Sequence, residues 1–326
     1  MANDQLFELA RRTVDTPEFR GIEFIEVEAK SVINKVPAAS RVPFDYTINP
    51  YRGCSHSCVY CFARPTHTFL DMNAGRDFET KIVVKVNAPE VLRRELAKKS
   101  WKGHHIAMGT NTDPYQRAEG RYRLMRGIIE ALRDARNPFS ILTKGTLILR
   151  DIDLLLEAAT HAEVSAAFSI GTLDEQVWRE TEPGTPSPRA RVDALRRLGD
   201  AGIPTGVLVA PILPGISDRP EQLREVVEAV LDAGASYASP IMLHLRPGVR
   251  EEFMPWLAEL HPELVERYER LYRSSAYGAK SEREAISKRV HGSARAYDGP
   301  RRPATHRFRG TATKGREPKV EQQRLW

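Results

Sequence analysis

The feature that most constrains the fold of this chain is an alternation of strand-length apolar runs with longer segments of helical period. Leu124, Ile128 and Leu132 recur at helical spacing, as do Leu223, Val226 and Val230, and the second of these segments ends before Gly234. Strand, helix, strand units with right-handed crossovers build a parallel sheet flanked by helices. Six units predict a partial (βα)6 barrel, with a doubly wound open sheet as the alternative. The six strand candidates are 44–49, 105–109, 139–143, 164–170, 205–212 and 237–243.

The segments outside this alternation predict the domain organisation. The run GIEFIEVEA at 21–29 reads as one short strand of an N-terminal extension. The run KIVVKV at 81–86 also resembles a strand, but a helix follows it at once, so we place it inside the first crossover. The expected organisation is an N-terminal extension at 1–43, the partial barrel at 44–247, a C-terminal helical segment at 248–290 and a flexible basic tail at 291–326.

Composition and charge narrow the class of protein. The 326 residues, 41% of them hydrophobic, can fill a large core, and no apolar run approaches the roughly 18 residues of a membrane span. The start of the chain has no basic cap followed by an apolar stretch, so we expect a cytoplasmic protein without a membrane partner. Residues 279–326 carry 13 Lys or Arg against 5 Asp or Glu, whereas the rest carries 36 against 38. The tail is therefore expected to be disordered, and it is either simply solvated or a contact for nucleic-acid phosphates.

All three cysteines of the chain lie within eight positions, at Cys54, Cys58 and Cys61, directly after the first strand candidate. Loops at the carboxyl ends of parallel strands build active sites, so the fold would present three thiolates there. Three cysteines cannot all pair as disulfides, and this spacing favours a metal. A zinc site would recruit His56, His67 or water as a fourth ligand. A 4Fe-4S cluster on three thiolates would keep one iron open for another ligand.

The run C54-S-H-S-C58-V-Y-C61 resembles the C-x3-C-x-aromatic-C signature of the radical S-adenosylmethionine (SAM) superfamily. The stretch NPYRGCSHSCVYCFAR, together with TNTDPYQ, is similar to its spore photoproduct lyase-like branch, which is also described as DNA repair photolyase-like. The resemblance covers about residues 44–245. It implies the same partial barrel of six β/α units.

The resemblance also implies an activity. Members of the superfamily use a 4Fe-4S cluster to cleave SAM reductively, and the 5′-deoxyadenosyl radical that results abstracts a hydrogen atom from the substrate. Here Cys54, Cys58 and Cys61 would ligate the irons, with SAM on the open iron. A reductant such as flavodoxin or ferredoxin would be a partner, and the substrate is unidentified, with nucleic acid as a candidate. The rival hypothesis is a zinc-stabilised nucleic-acid-binding protein without catalytic activity.

Individual SAM contacts follow from the same resemblance. Tyr60 would lie against the adenine, Thr112 and Asp113 would hold the amino group, Lys144 would face the carboxylate, and Ser169 would lie near the ribose or carboxylate. A carboxylate at a strand end suits an ammonium group, because a charged acceptor makes the stronger hydrogen bond.

Two positions depart from the lyase pattern. The lyase carries a tyrosine directly after the third cluster cysteine and a cysteine after the second strand, and both serve hydrogen transfer. This chain has Phe62 and Thr110 in those places. Phenylalanine has no hydroxyl hydrogen to give, so we do not expect repair of the spore photoproduct by the same route. His244 and Arg246 follow the sixth strand candidate and are candidates for substrate contacts.

Overall fold

A computed structural model describes residues 11–14, 19–37, 40 and 42–301 of the chain. The strands of this part of the chain are β1 (Arg11–Val14), β2 (Glu23–Val27), β3 (Ile33–Lys35), β4 (Tyr46–Ile48), β5 (Tyr51–Arg52), β6 (Lys81–Lys85), β7 (Ile106–Met108), β8 (Phe139–Thr143), β9 (Val164–Ser169), β10 (Thr205–Ile212) and β11 (Ala238–Met242).

Six strands form the parallel sheet that the sequence predicts. They lie in the order β4-β7-β8-β9-β10-β11, every neighbouring pair is parallel, and β3 adds an antiparallel edge beside β4. The strand order follows the chain without reversal, whereas a doubly wound sheet reverses its order at a switch point. The partial (βα)6 barrel is therefore confirmed, and the open-sheet alternative is wrong.

Helices surround this sheet on its outer side and at its end. They are α1 (Arg76–Thr80), α2 (Ala88–Leu96), α3 (Arg117–Tyr122), α4 (Leu124–Asp134), α5 (Ile152–Ala159), α6 (Glu175–Thr181), α7 (Pro188–Ala201), α8 (Pro220–Asp232), α9 (Arg250–Leu260), α10 (Val265–Leu271) and α11 (Lys280–Ala296), with 3-10 turns at Arg64–Leu70, Thr146–Asp151 and Pro262–Leu264. The periodic residues Leu124, Ile128 and Leu132 lie on the buried face of α4 and pack into the core.

The strand-like run at 81–86 belongs to a second, smaller sheet. In this sheet the order is β1-β2-β6-β5, with β6 parallel to β2 and antiparallel to β5. The predicted strand of the N-terminal extension, β2, thus pairs with the excursion of the first crossover. Because β5 ends at Arg52, this sheet holds the start of the cysteine loop.

The C-terminal helix extends further than the sequence indicates. The predicted helical segment ends at residue 290, but α11 continues to Ala296 because Ile286 and Val290 bury one face of it against the core. Residues 291–296, which we assigned to the basic tail, are thus helical. Residues 302–326 of that tail lie outside the described part of the chain. Among the helices described, none has the length and apolar character needed to cross a membrane.

Candidate active site

The cysteine loop begins where β5 ends, at the carboxyl end of β4. Gly53 turns the chain with φ +80°, and a Cβ there would lie 2.9 Å from the carbonyl oxygens of Phe78 and Lys81. The backbone N–H of Cys54 donates to the Phe78 carbonyl at 2.9 Å. Glycine is thus needed at this position for both its φ and its space. The loop is held close to the end of α1 and the start of β6.

The three thiols are enclosed together. Cys54 and Cys58 are buried and Cys61 is half-buried. Burial raises the pKa of Cys58 well above its ordinary value, and burial together with the charge of Cys54 raises the pKa of Cys61 to about 11. A bound metal cation would offset the charge of the thiolates and so favour their deprotonation. The donor set fits a thiolate-bound iron–sulfur cluster.

The described side chains bear on the choice of metal. Within the described ranges, no three His, Cys, Asp or Glu side chains converge closely enough to hold a single ion. A mononuclear zinc site requires such convergence on one centre. A 4Fe-4S cluster binds each thiolate through a different iron, so its ligands are spread over the cluster.

Gln116 holds the first half of the cysteine loop. Its side-chain oxygen accepts from the Ser55 backbone N–H at 2.9 Å, and its side-chain nitrogen donates to the Gly53 carbonyl at 2.9 Å. The Thr112 hydroxyl donates to the same carbonyl at 2.7 Å. Gln116 is completely buried and was not predicted as a site residue, although it is the last residue of the stretch TNTDPYQ. The available signal was a polar residue directly before a helix within that stretch.

Arg64 holds the second half of the loop. Its Nη2 and Nε donate to the Cys58 carbonyl at 2.9 and 3.2 Å, and its Nη1 donates to the Gly75 carbonyl at 3.1 Å. The same guanidinium forms an ion pair with Glu79 and lies over the Phe78 ring. Arg64 therefore fixes the backbone between two cysteines from inside the protein.

Asp113 lies in the loop after β7, and its carboxylate accepts hydrogen bonds from three protein donors. It accepts from the Thr143 hydroxyl at 2.5 Å, from the Lys144 backbone N–H at 2.6 Å and from the Tyr115 backbone N–H at 2.9 Å. His56 of the cysteine loop lies 3.4 Å away. Burial alone would raise the pKa of Asp113, but His56 and these donors lower it. Asp113 thus joins the ends of β7 and β8 to the loop.

Lys144, Ser169 and Tyr60, three of the nominated SAM residues, are brought together. Lys144 Nζ donates to Ser169 Oγ at 2.8 Å and lies 5.6 Å from the centroid of the Tyr60 ring. The Ser169 hydroxyl donates to the Ala210 carbonyl at 2.7 Å. Residues from the cysteine loop, β8 and β9 therefore form one polar group at the mouth of the barrel.

Glu182 lies at the centre of this group and is a site residue that the sequence patterns did not indicate. Lys144 Nζ donates to it at 3.0 Å, and both the Tyr60 hydroxyl and Arg191 donate to it. Arg191 Nη1 also donates to the Ser169 carbonyl at 2.8 Å. Burial alone would raise the pKa of Glu182, but Arg191 and Lys144 lower it to about 2. An ionised carboxylate is thus held inside the protein by two cations.

Family membership follows from a comparison with known sequence families. The family model of the Radical SAM superfamily matches residues 48–230, which span the cysteine loop and most of the barrel. This chain belongs to the radical SAM superfamily. It is therefore an enzyme with radical chemistry, and the hypothesis of a zinc-stabilised protein without catalytic activity is wrong.

Several known proteins are similar to this chain in sequence or in fold. An uncharacterized protein of Mycobacterium tuberculosis is 52% identical over 279 residues, which cover 86% of this chain and 82% of that protein. A protein of Pseudomonas phage M6 described as a radical SAM Nalpha-GlyT isomerase is 27% identical over 194 residues, 58% of this chain and 37% of that protein. Spore photoproduct lyase complexed with dinucleoside spore photoproduct has a TM-score of 0.61 at 16% identity, covering 85% of this chain and 80% of that chain. This last likeness shows a shared fold.

The two positions that depart from the lyase pattern lie close to the radical SAM cysteine loop. Phe62 follows Cys61 directly and is 49% exposed. The Thr110 hydroxyl donates to Asn49 Oδ1 at 3.4 Å, beside the end of β4. Of the candidate substrate contacts, His244 is half-buried and Arg246 is exposed, and both follow β11.

Proposed function

We propose that this radical SAM enzyme binds one 4Fe-4S cluster through Cys54, Cys58 and Cys61 and cleaves SAM reductively to abstract hydrogen from a substrate. When bound, the cluster would supply the electron that converts SAM into methionine and a 5′-deoxyadenosyl radical. The observation that carries the proposal is that one loop at the carboxyl end of β4 encloses the three thiols. Hydrogen bonds to its backbone hold this loop in place. A reductant such as flavodoxin or ferredoxin would deliver the electron.

The residues around the loop would position SAM. Lys144 offers an ammonium to the SAM carboxylate, Ser169 offers a hydroxyl beside it, and Tyr60 presents an aromatic ring to the adenine. Their mutual contacts at 2.8 and 5.6 Å support a shared binding surface. Thr112 and Asp113 remain the proposed partners of the amino group, while they also hold the loop in place.

The substrate that we propose contains nucleotide units. The net positive charge of residues 279–326 supports this proposal, because Lys and Arg side chains bind the phosphates of nucleic acids. A solved protein of the same fold, spore photoproduct lyase, is complexed with dinucleoside spore photoproduct. Phe62 cannot donate a hydroxyl hydrogen, so the reaction would differ from the lyase route.

Metal content tests the proposal directly. After anaerobic reconstitution we expect about four irons and four sulfides per chain and broad absorbance near ~400 nm. Replacing any one of Cys54, Cys58 or Cys61 by Ala should abolish most of this absorbance. Colourless protein that retains about one zinc per chain would contradict the proposal.

A further inference from the structure

We propose that His244, Arg246, Tyr277 and Arg283, here called the rim cluster, form a binding site for a phosphate group of the substrate. The inference rests on the proposed function, because the site would hold the substrate of that reaction. Its components come from the segment after β11, the loop between α10 and α11, and α11 itself.

Tyr277 organises the rim cluster. Arg246 Nη2 donates to the Tyr277 hydroxyl at 2.8 Å, and the guanidinium carbon lies 5.5 Å from the centroid of the Tyr277 ring. The His244 ring packs edge-on against the same ring, with centroids 4.7 Å apart. Tyr277 is 38% exposed. A guanidinium and an imidazole are thus held in fixed positions at the surface by one aromatic ring.

The charges of the rim cluster are not neutralised by nearby acids. Within the described residues, no carboxylate forms an ion pair with Arg246 or Arg283, whereas Arg150 and Arg191 of the barrel each have such a partner. Burial lowers the pKa of His244, and the positive charges of Arg246 and Arg283 lower it further. Arg283 lies on α11, which packs on β11, and Arg246 follows β11, so both guanidiniums favour an anion near the end of this strand.

The rim cluster faces the mouth of the barrel that carries the cysteines. The segment after β11 packs against the turn that follows the cysteine loop, since a Cβ at Gly248 would lie 2.8 Å from Pro65 Cγ. The backbone N–H of Leu245 donates to the Ala276 carbonyl at 2.8 Å, which fixes Tyr277 beside the end of β11. Carboxyl ends of parallel strands are where β/α barrels bind substrates.

The chemistry favours phosphate over a single carboxylate. Two guanidinium forks and a phenol hydroxyl offer more donors than one carboxylate can accept, whereas a phosphate presents several oxygens. The positive charge also continues along α11, which carries five Lys or Arg against two Glu. A row of cations suits successive phosphates of a nucleotide strand.

Binding measurements on paired variants test the inference. The test variant is Arg246→Gln with Arg283→Gln, and the control is Arg189→Gln with Arg224→Gln, whose side chains are 68% and 62% exposed on α7 and α8. Both pairs remove two positive charges. The probe is a fluorescent single-stranded oligonucleotide of about 12 nucleotides, followed by anisotropy at two salt concentrations. Inorganic phosphate and a mononucleotide serve as competitors.

We expect the test variant to bind about tenfold or more weakly, with a salt slope lower by about 2, and the control to change less than about twofold. If the mononucleotide competes, the site binds a small phosphate ester. If only the unlabelled oligonucleotide, used as a third competitor, displaces the probe, the site binds a nucleotide strand. Equal binding by the test variant and the wild type, or equal loss in both variants, would overturn the inference. Formation of 5′-deoxyadenosine from SAM by the wild-type protein tests the proposed function separately, so failure of the site is distinguishable from failure of the proposed function.

Discussion

At the scale of single residues, Glu182 connects the parts of the proposed SAM site. It accepts from Tyr60, Lys144 and Arg191, which come from the cysteine loop, the end of β8 and α7. The carboxylate stays ionised because the cations beside it outweigh its burial. Removing one member of a group of buried ion pairs leaves the remaining charges without a counter-charge. The resulting loss in free energy of unfolding is larger than the contribution of a surface ion pair.

Replacing Glu182 by Gln should lower the free energy of unfolding by about 3 kcal/mol, because Lys144 and Arg191 would keep their charges without an anion. The measurement is urea unfolding of the cluster-free protein, together with SAM affinity of the reconstituted protein, which we expect to fall. Glu175→Gln is the matched control, since Glu175 is 57% exposed in an i,i+4 pair with Arg179. It should change stability by less than about 0.5 kcal/mol. Equal effects of the two substitutions would contradict the role of Glu182.

There is a physical reason why the sequence patterns did not identify Glu182, Gln116 or Arg191. The burial of a polar side chain depends on neighbours from several strands, and these neighbours are far apart in the sequence. Glu182 itself stands in the run E-P-G-T-P after α6, which reads as an ordinary surface turn. The cysteines could be predicted as ligands because all three lie close together in the sequence, within one loop.

At the scale of elements, the cysteine loop is fixed from both sides by close backbone packing. Gly184, in the turn after α6, lies so near the loop that a Cβ there would be 2.2 Å from the Ser55 carbonyl oxygen. The backbone N–H of Gly184 also donates to the His56 carbonyl at 3.1 Å. The turn after α6 therefore helps to set the shape of the loop after β4.

Replacing Gly184 by Ala should displace the cysteine loop, because the new Cβ would clash with backbone atoms of that loop. Backbone atoms cannot move away as a flexible side chain does. We expect a lower iron content after reconstitution and a loss of about 1–3 kcal/mol in unfolding free energy. Gly292→Ala on α11 is the control, since nothing lies within 4 Å of its Cβ position and alanine favours a helix. Normal iron content in the Gly184 variant would contradict the packing argument.

The elements of the barrel were largely predictable, and the smaller sheet was not. Strands β8 and β10 match their predicted ranges residue for residue, because buried parallel strands are continuous apolar runs. The pairing of β2 with β6 joins residues more than 50 positions apart, so no local pattern indicates it. Helix α11 continues past the expected boundary because two buried residues hold a largely polar helix.

At the scale of the whole molecule, the open side of the barrel is covered by the C-terminal helix. α11 packs on β11 and α8 and buries Ile286 and Val290. The same helix carries Arg283 of the rim cluster. The stability of the barrel edge and the position of the proposed phosphate site therefore depend on one element.

Replacing Ile286 by Ala should lower the free energy of unfolding by about 2–5 kcal/mol, since it removes buried methylenes and leaves a cavity against the sheet. Denaturant unfolding measures this loss. Lys288→Ala, on the exposed side of the same helix, should stay within about 0.5 kcal/mol of the wild type. If both variants unfold at the same denaturant concentration as the wild type, α11 does not contribute to the stability of the barrel.

The central claim is that the three cysteines support reductive cleavage of SAM at the mouth of this barrel. The most direct measurement is the amount of 5′-deoxyadenosine formed when the anaerobically reconstituted protein is reduced in the presence of SAM. We expect 5′-deoxyadenosine and methionine in equal amounts from the wild type, and neither from the Cys58→Ala variant. A fully assembled, reduced cluster that leaves SAM intact would contradict the claim.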